Sequence, residues 1–378
     1  MKFLLIYSKV FDLESKNILS QIGGVQRYLY ELGKIIKKNF NTEVCIVQLG
    51  VEEKIYKFEG LEILQFKQQS MKELIKKLIK NNKLGENDII IWGSDTLSIR
   101  TKYKSIAIQH GIACDFFSRE SSLQRVCYKS PLLASCYKFL QLIRSYMVFE
   151  NAEFKVCVDY NYLNWYRTIN IYRNNMHKIS VIPNFSYIPK IEKTSDTDKL
   201  VISFARRFHH KRGAKLLCNV AEELLAINQN IEFWFSGEGE ELQFILNLQS
   251  KYPTQVKLTK FSQDETFKYH QLVDIAVIPT IASEGTSLSL LEAMASYCAV
   301  VCTNIGGMTN IVLDEFNGLI VNPDHHQLKA ALLKLISDVE LRKKLANNAR
   351  LTVEQSFNIN IWERKWVDFI NMVLNTYE

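Results

Sequence analysis

The stretch Ile275-Ala-Val-Ile-Pro-Thr-Ile-Ala-Ser-Glu-Gly-Thr-Ser-Leu-Ser-Leu-Leu-Glu-Ala-Met-Ala295 carries three structural instructions in a row. Ile275–Ile278 is a short continuous apolar run, the mark of a strand buried on both faces. Pro279–Ser287 is a polar, glycine-containing loop. Leu288–Ala295 then reads as the first turns of a helix, with Glu292 inside it. The two carboxylates, Glu284 and Glu292, stand eight positions apart, and Gly285, Thr286 and Ser287 lie between them. A helix start presents unpaired backbone N–H groups and a partial positive charge, which suits a phosphate. A carboxylate on either side can accept hydrogen bonds from hydroxyl groups. Strand, ligand-facing loop and helix together form the repeating unit of a parallel α/β sheet.

That unit recurs along the chain. Strand candidates in the first half are 3–7, 44–49, 89–92, 106–108, 156–158 and 180–182; in the second half they are 200–204, 231–235, 256–258, 275–278, 300–303 and 319–321. Helical spacing fills the gaps, as in Met71, Leu74, Ile75, Leu78 and Ile79. Strand–helix alternation of this kind predicts parallel sheets covered by helices, doubly wound. A length of 378 residues exceeds one ordinary core. The polar, aperiodic stretch 187–199 then separates two Rossmann-like α/β domains, 1–188 and 196–357. A final amphipathic segment, 358–378, carries Ile361, Trp366, Phe369, Ile370 and Val373. Ligands of such sheets bind outside the carboxyl ends of the strands, so two such domains facing each other would place a site in the cleft between them.

Composition narrows the class. The chain is 47% hydrophobic and 23% charged, which is globular. A net charge of +7 is compatible with anionic small molecules, anionic lipid or nucleic acid and selects none of them. Eight cysteines are scattered without a CxxC pair, as expected for reduced thiols in the cytoplasm. The apolar start, Met1–Tyr7, is too short for a signal peptide and reads as a first strand. No run approaches the ~20 apolar residues of a spanning helix, so a soluble or peripheral protein is expected.

The remaining motifs fall at strand-to-helix turns. Gly23-Gly24 precedes an amphipathic helix and permits close backbone approach to a ligand; an ordinary glycine turn is the alternative. His110-Gly111 follows the strand 106–108 and can serve a sugar hydroxyl, or be an ordinary loop histidine. Arg206-Arg207-Phe-His-His-Lys-Arg212-Gly213 follows the strand 200–204. Arg207 and Arg212 bracket a loop suited to phosphate oxygens, the alternative being a solvated basic loop. His209 and His210 are adjacent but lack metal-ligand company, so no metal site is expected. Gly237-Glu-Gly239 resembles half of a dinucleotide loop, without the full G-x-G-x-x-G. Thr303-Asn-Ile-Gly-Gly307 closes another strand. Glu292 sits among apolar residues and needs a partner, for which a ribose diol would serve. Phosphate and sugar recognition together suggest a nucleotide-sugar.

Taken as a set, these residues resemble glycosyltransferase family 4, the retaining nucleotide-sugar-dependent enzymes of the GT-B fold. The resemblance is strongest from Leu200 to about Arg350 and includes Asn317-Gly318-Leu319. The first half is covered more thinly, by Gly23-Gly24, His110-Gly111 and Ile182-Pro183-Asn184. It implies that Arg207 and Arg212 hold the donor diphosphate, with Arg212 standing where the family more often has Lys. Glu284 would meet hydroxyls of the donor sugar, Gly285, Thr286 and Ser287 would offer donors to sugar and phosphate, and Glu292 would hold the ribose. Gly24 would sit over the diphosphate, with Gly23 beside it, Gly237 in the donor loop and His110 near the sugar. The final helix would pack back on the first domain.

The resemblance further implies metal-free transfer with retention, by front-side attack in which the leaving diphosphate accepts the acceptor's proton. It implies no cofactor, a UDP- or GDP-sugar as substrate, and a glycan or lipid-linked acceptor in bacterial surface polysaccharide synthesis (lipopolysaccharide, capsule or exopolysaccharide). Nucleic acid is not an expected partner. A non-catalytic nucleotide-sugar-binding protein, an inverting transferase and an epimerase on the same fold are the alternatives. Two basic stretches, Lys72–Lys83 and Arg119–Phe154, are candidates for an anionic membrane surface on the inner face of the cytoplasmic membrane; packing on the sheet is the alternative for each.

Overall fold

The computed structural model describes residues 1–14, 23–112, 115, 122–170, 175–190 and 199–376. The chain divides into two compact units, Met1–Ile182 with Glu363–Glu378, and Pro183–Trp362.

The first unit is built on β1 (Lys2–Ile6), α1 (Gly24–Phe40), β2 (Glu43–Gly50), β3 (Lys54–Phe58), β4 (Leu61–Lys67), α2 (Met71–Lys80) and β5 (Ile89–Trp92). It continues through β6 (Ser105–Gln109), α3 (Ser122–Tyr128), α4 (Pro131–Phe149), β7 (Phe154–Cys157), α5 (Tyr160–Ile169) and β8 (Ile179–Val181). The eight strands lie in the order β3-β4-β2-β1-β5-β6-β7-β8. All neighbours are parallel except the hairpin β3–β4. That hairpin is absent from the expectations above. β3 is a half-exposed edge strand of mixed polarity, Lys-Ile-Tyr-Lys-Phe, and it leaves no apolar run to recognise. Its tight turn, Glu59-Gly60, has both φ angles positive, the geometry whose twist matches antiparallel strands. The direction in which successive strands are added reverses between the parallel neighbours β1 and β5, whose carboxyl ends therefore mark the unit's switch point.

The second unit contains β9 (Leu200–Ala205), α6 (Ala214–Ile227), β10 (Ile231–Ser236), α7 (Leu242–Lys251), β11 (Val256–Thr259), α8 (Thr266–Gln271) and β12 (Ile275–Ile278). It ends with α9 (Leu288–Ala295), β13 (Ala299–Thr303), β14 (Leu319–Val321), α10 (His325–Ser337) and α11 (Val339–Thr352); α12 (Ile359–Asn375) follows. The six strands are all parallel, in the order β11-β10-β9-β12-β13-β14. Their positions match the apolar runs of the sequence to within two residues at either end, because the inner strands β9, β10, β12 and β13 are buried on both faces. Along β9, Ile202 and Phe204 enter one core cluster and Val201 enters the other. β9 and β12 are neighbours in the sheet but separated in sequence by β10 and β11, so the switch point lies between them.

Within the first unit, the residues from Glu363 onward are anchored by their apolar face. Trp366 is fully buried and donates from Nε1 to the Tyr28 hydroxyl at 2.9 Å, with Phe369 and Ile370 buried beside it. Truncating a buried tryptophan removes its transfer free energy and opens a cavity. Trp366→Ala should therefore cost about 3–5 kcal/mol in urea denaturation, whereas Trp366→Phe should lose only part of that.

Candidate functional site

The switch point of the second unit holds a charge cluster built from three loops. Glu284, on the loop after β12, is 9% exposed. Its Oε2 accepts from Arg206 Nη2 at 2.5 Å, from Thr280 Oγ1 at 3.1 Å and from Arg212 Nη1. Arg206 also donates from Nη1 to Thr280 Oγ1 at 2.5 Å, and its side chain is 7% exposed. Thr280 is itself held from behind, its carbonyl accepting from Thr303 Oγ1 at 2.5 Å. All three donors to Glu284 converge on one oxygen. None of these hydrogen bonds uses Oε1.

The electrostatics follow from this geometry. Burial alone would push the Glu284 carboxyl up, but the adjacent Arg206 and then Arg212 outweigh it and hold the pKa below the ordinary value of 4.5. Arg206 is pulled below its ordinary value by burial, with Glu284 opposing the fall. Arg206 is the residue that the sequence reading passed over. Adjacent arginines look equivalent in the sequence, yet the alternation of β9 runs on into the loop. It turns Arg206 inward onto Glu284 and leaves Arg207 exposed. Arg212, one-third exposed, reaches Glu284 from the same loop.

The surrounding backbone is tightly interlocked. Gly307 N donates to Glu284 O at 3.1 Å. Gly306 has φ +56°, and a Cβ there would lie 1.9 Å from Glu284 O, so only glycine lets the turn after β13 close on the Glu284 loop. Gly237 likewise faces Arg206 O, 2.1 Å from where its Cβ would be. Ser287 caps α9, its Oγ accepting from Leu290 N at 3.4 Å. Gly285, Thr286 and Ser287 are all buried at the start of that helix. Asn184 N donates to Thr286 Oγ1 at 2.8 Å, and Asn184 Nδ2 donates to Thr286 O. Glu292 lies inside α9 and is 9% exposed. The structure therefore brings Arg212, Glu284, Gly285, Thr286 and Ser287 together in this unit, with Gly237 behind Arg206.

Arg207 and Glu292 also lie in this unit, whereas Gly23, Gly24 and His110 belong to the first. Gly23 caps α1 and Gly24 begins it, with no acidic residue in the first turn. His110 follows β6, and its Nε2 meets Gly93 O at 2.9 Å. A carbonyl can only accept, so Nε2 carries the proton and Nδ1 is the acceptor. Burial draws the His110 pKa down to about 4, against the opposing bond to Gly93, so the ring is neutral at physiological pH. The sequence also holds one Asp-x-Asp triplet, Asp196-Thr197-Asp198, which the metal-free expectation passed over; it lies outside the described residues.

Residues 188–352 match the family model described as Glycosyl transferases group 1, a span that contains the whole Glu284 cluster. A Campylobacter jejuni protein named GalNAc-alpha-(1->4)-GalNAc-alpha-(1->3)-diNAcBac-PP-undecaprenol alpha-1,4-N-acetyl-D-galactosaminyltransferase is 23% identical over 370 residues, 93% of this chain and 96% of that protein. Other curated relatives match over shorter stretches, and the chain spans 38%, 56% and 41% of the length of three of them. Sucrose-phosphate synthase from Thermosynechococcus elongatus superposes with a TM-score of 0.76 at 15% identity over 99% of both chains. Anabaena HepE, solved in complex with UDP, superposes with a TM-score of 0.71 at 15% identity over 98% of this chain and 100% of its own. The chain thus shares the GT-B fold of these structures, and its residues 188–352 resemble the group 1 glycosyltransferases.

Arg206→Ala strips a buried carboxylate of a partner and should cost about 3 kcal/mol in denaturant unfolding, while Arg207→Ala should stay within about 0.5 kcal/mol. A depressed carboxylate contributes stability above its unfolded pKa of 4.5 and loses it as pH falls through its lower folded value. Arg206→Ala should therefore also move acid unfolding to higher pH. His110, neutral when folded, makes stability rise with pH between about 4 and 6.5. Asp95, pushed up to about 7 by burial, acts with the opposite sign over nearly the same range. The readout is accordingly the difference between wild type and His110→Asn at pH 5 and pH 7, expected to be smaller at pH 5.

Proposed function

We propose that this chain is a retaining, metal-independent glycosyltransferase that moves a sugar from a nucleotide-sugar to a glycan or lipid-linked acceptor in bacterial surface polysaccharide synthesis. The observation that carries the reading is the half-occupied Glu284 carboxylate at the β9/β12 switch point. It is held ionised and immobile by Arg206, Arg212 and Thr280 through one oxygen, beside the start of α9. The group 1 domain and the GT-B fold support it. So do the UDP complex of HepE and the undecaprenol-linked acceptor in the name of the C. jejuni relative.

In this reading Glu284 Oε1 accepts from a hydroxyl of the donor sugar, and Arg206 holds the carboxylate in place. Arg207, exposed, and Arg212, one-third exposed, neutralise the diphosphate as its bond to the anomeric carbon breaks and negative charge builds on it. The N-terminal N–H groups of α9, with Gly285, Thr286 and Ser287, add donors to the phosphate side. Gly237 sets the loop beneath the donor, and Glu292 binds the ribose diol. In the first unit, Gly23, Gly24 and a neutral His110 are the candidate ligand-contacting residues. Front-side attack is completed when a diphosphate oxygen takes the acceptor's proton. Because two guanidinium groups supply the positive charge, no divalent cation is needed.

Glu284→Ala should lower kcat by roughly 10²–10³-fold while nucleoside diphosphate affinity, read by calorimetry, changes little. Unchanged turnover would contradict the assignment. Transfer should persist in EDTA, and NMR of the product should show the donor's anomeric configuration retained. An inverted anomer or loss of activity on chelation would overturn that part of the proposal.

A further inference from the structure

Both basic, amphipathic stretches of the first unit look alike in the sequence, and the structure separates them. In α2 the apolar face is used internally: Leu74, Ile75 and Leu78 are buried in the core cluster formed with β1, β2 and β4. Its lysines are the solvent side of an ordinary sheet-packing helix. In α4 the reverse holds. Across its 19 residues only Phe149 is buried. Leu132, Phe139, Leu140, Ile143 and Met147 are 41–73% exposed. These positions follow i, i+3, i+4 spacing and form one stripe along the helix. Val126 of α3 adds a further exposed apolar side chain, 55% exposed.

We infer that α3 and α4 form a docking surface for an anionic lipid bilayer, on which α4 lies in the plane of the interface. Charge selects this occupant over another protein surface. From Ser122 to Phe149 the chain carries Arg125, Lys129, Lys138 and Arg144, all exposed, and no aspartate or glutamate. A helix that exposes an apolar stripe together with purely cationic side chains is suited to inserting that stripe among acyl chains while its basic residues meet lipid phosphates. The helix is about 28 Å long at 1.5 Å per residue. Among the described residues no helix is long and apolar enough to cross a membrane, so the attachment is at the surface. The inference is independent of the transferase reading, because it concerns a surface whose binding is measured without turnover.

The test is vesicle flotation of the full chain. Phosphatidylcholine vesicles containing roughly a third phosphatidylglycerol should carry the protein at low salt, and pure phosphatidylcholine vesicles or high salt should not. The triple variant Phe139→Ser, Leu140→Ser, Met147→Ser and the double variant Lys138→Glu, Arg144→Glu should each weaken binding by at least about tenfold. Both alter exposed side chains, so circular dichroism and nucleoside diphosphate binding should match wild type. No flotation of wild type at low salt would overturn the inference. So would flotation unchanged in both variants, or a wild-type dimer on light scattering that the triple variant dissolves, which would make the stripe a contact between two copies of the chain.

Discussion

A carboxylate taken out of water must be compensated, and Glu284 is compensated twice over. Desolvation raises the free energy of its ionised form, and two guanidinium groups more than reverse that. The arrangement is possible only where separate strand ends meet. Arg206 and Arg212 come from the loop after β9, Glu284 and Thr280 from the loop after β12, and Thr303 from the end of β13. The parallel sheet sets those ends side by side, and the glycines at 306 and 237 let the loops touch. Breaking the ion pair would leave a buried charge unmatched, so the pair constrains the loops as strongly as the loops position the pair.

The same constraint bears on the proposed chemistry. With three donors on Oε2, the carboxylate cannot rotate or take up a proton easily, and its second oxygen is presented in a fixed direction. That suits a group that binds and orients a hydroxyl, and it is a poor arrangement for an acid or a nucleophile, which would need to exchange its proton or its bond. His110 in the first unit is treated in a comparable way. Its ring is kept neutral by burial and fixed in one tautomer by Gly93. Both groups are preorganised in a single protonation state at physiological pH.

Much of this was legible in the sequence, for physical reasons that differ by element. The strands of the second unit stand out because strands buried on both faces must be continuous apolar runs. β3 and β4 were missed because an edge hairpin with a mixed-polarity outer strand makes no such run. Glu284 was legible from its place between an apolar strand and a helix start. Its partner Arg206 was not, since the choice between adjacent arginines depends on which way the chain leaves β9. Asn184, which braces Thr286, lies 102 residues away in sequence, and no local pattern reports such a pair. The contrast between α2 and α4 was hidden for the same reason. Periodicity shows that a helix has an apolar face, and only the packed structure shows whether that face is covered.

The central claim is that the Glu284 cluster is the donor-sugar site. A crystal structure with an unhydrolysed nucleotide-sugar tests it most directly. The account predicts Glu284 Oε1 within hydrogen-bond distance of a sugar hydroxyl, Arg206 still on Oε2, and the diphosphate between Arg212 and the start of α9. A nucleotide-sugar bound elsewhere, or one whose sugar makes no contact with Glu284, would contradict it.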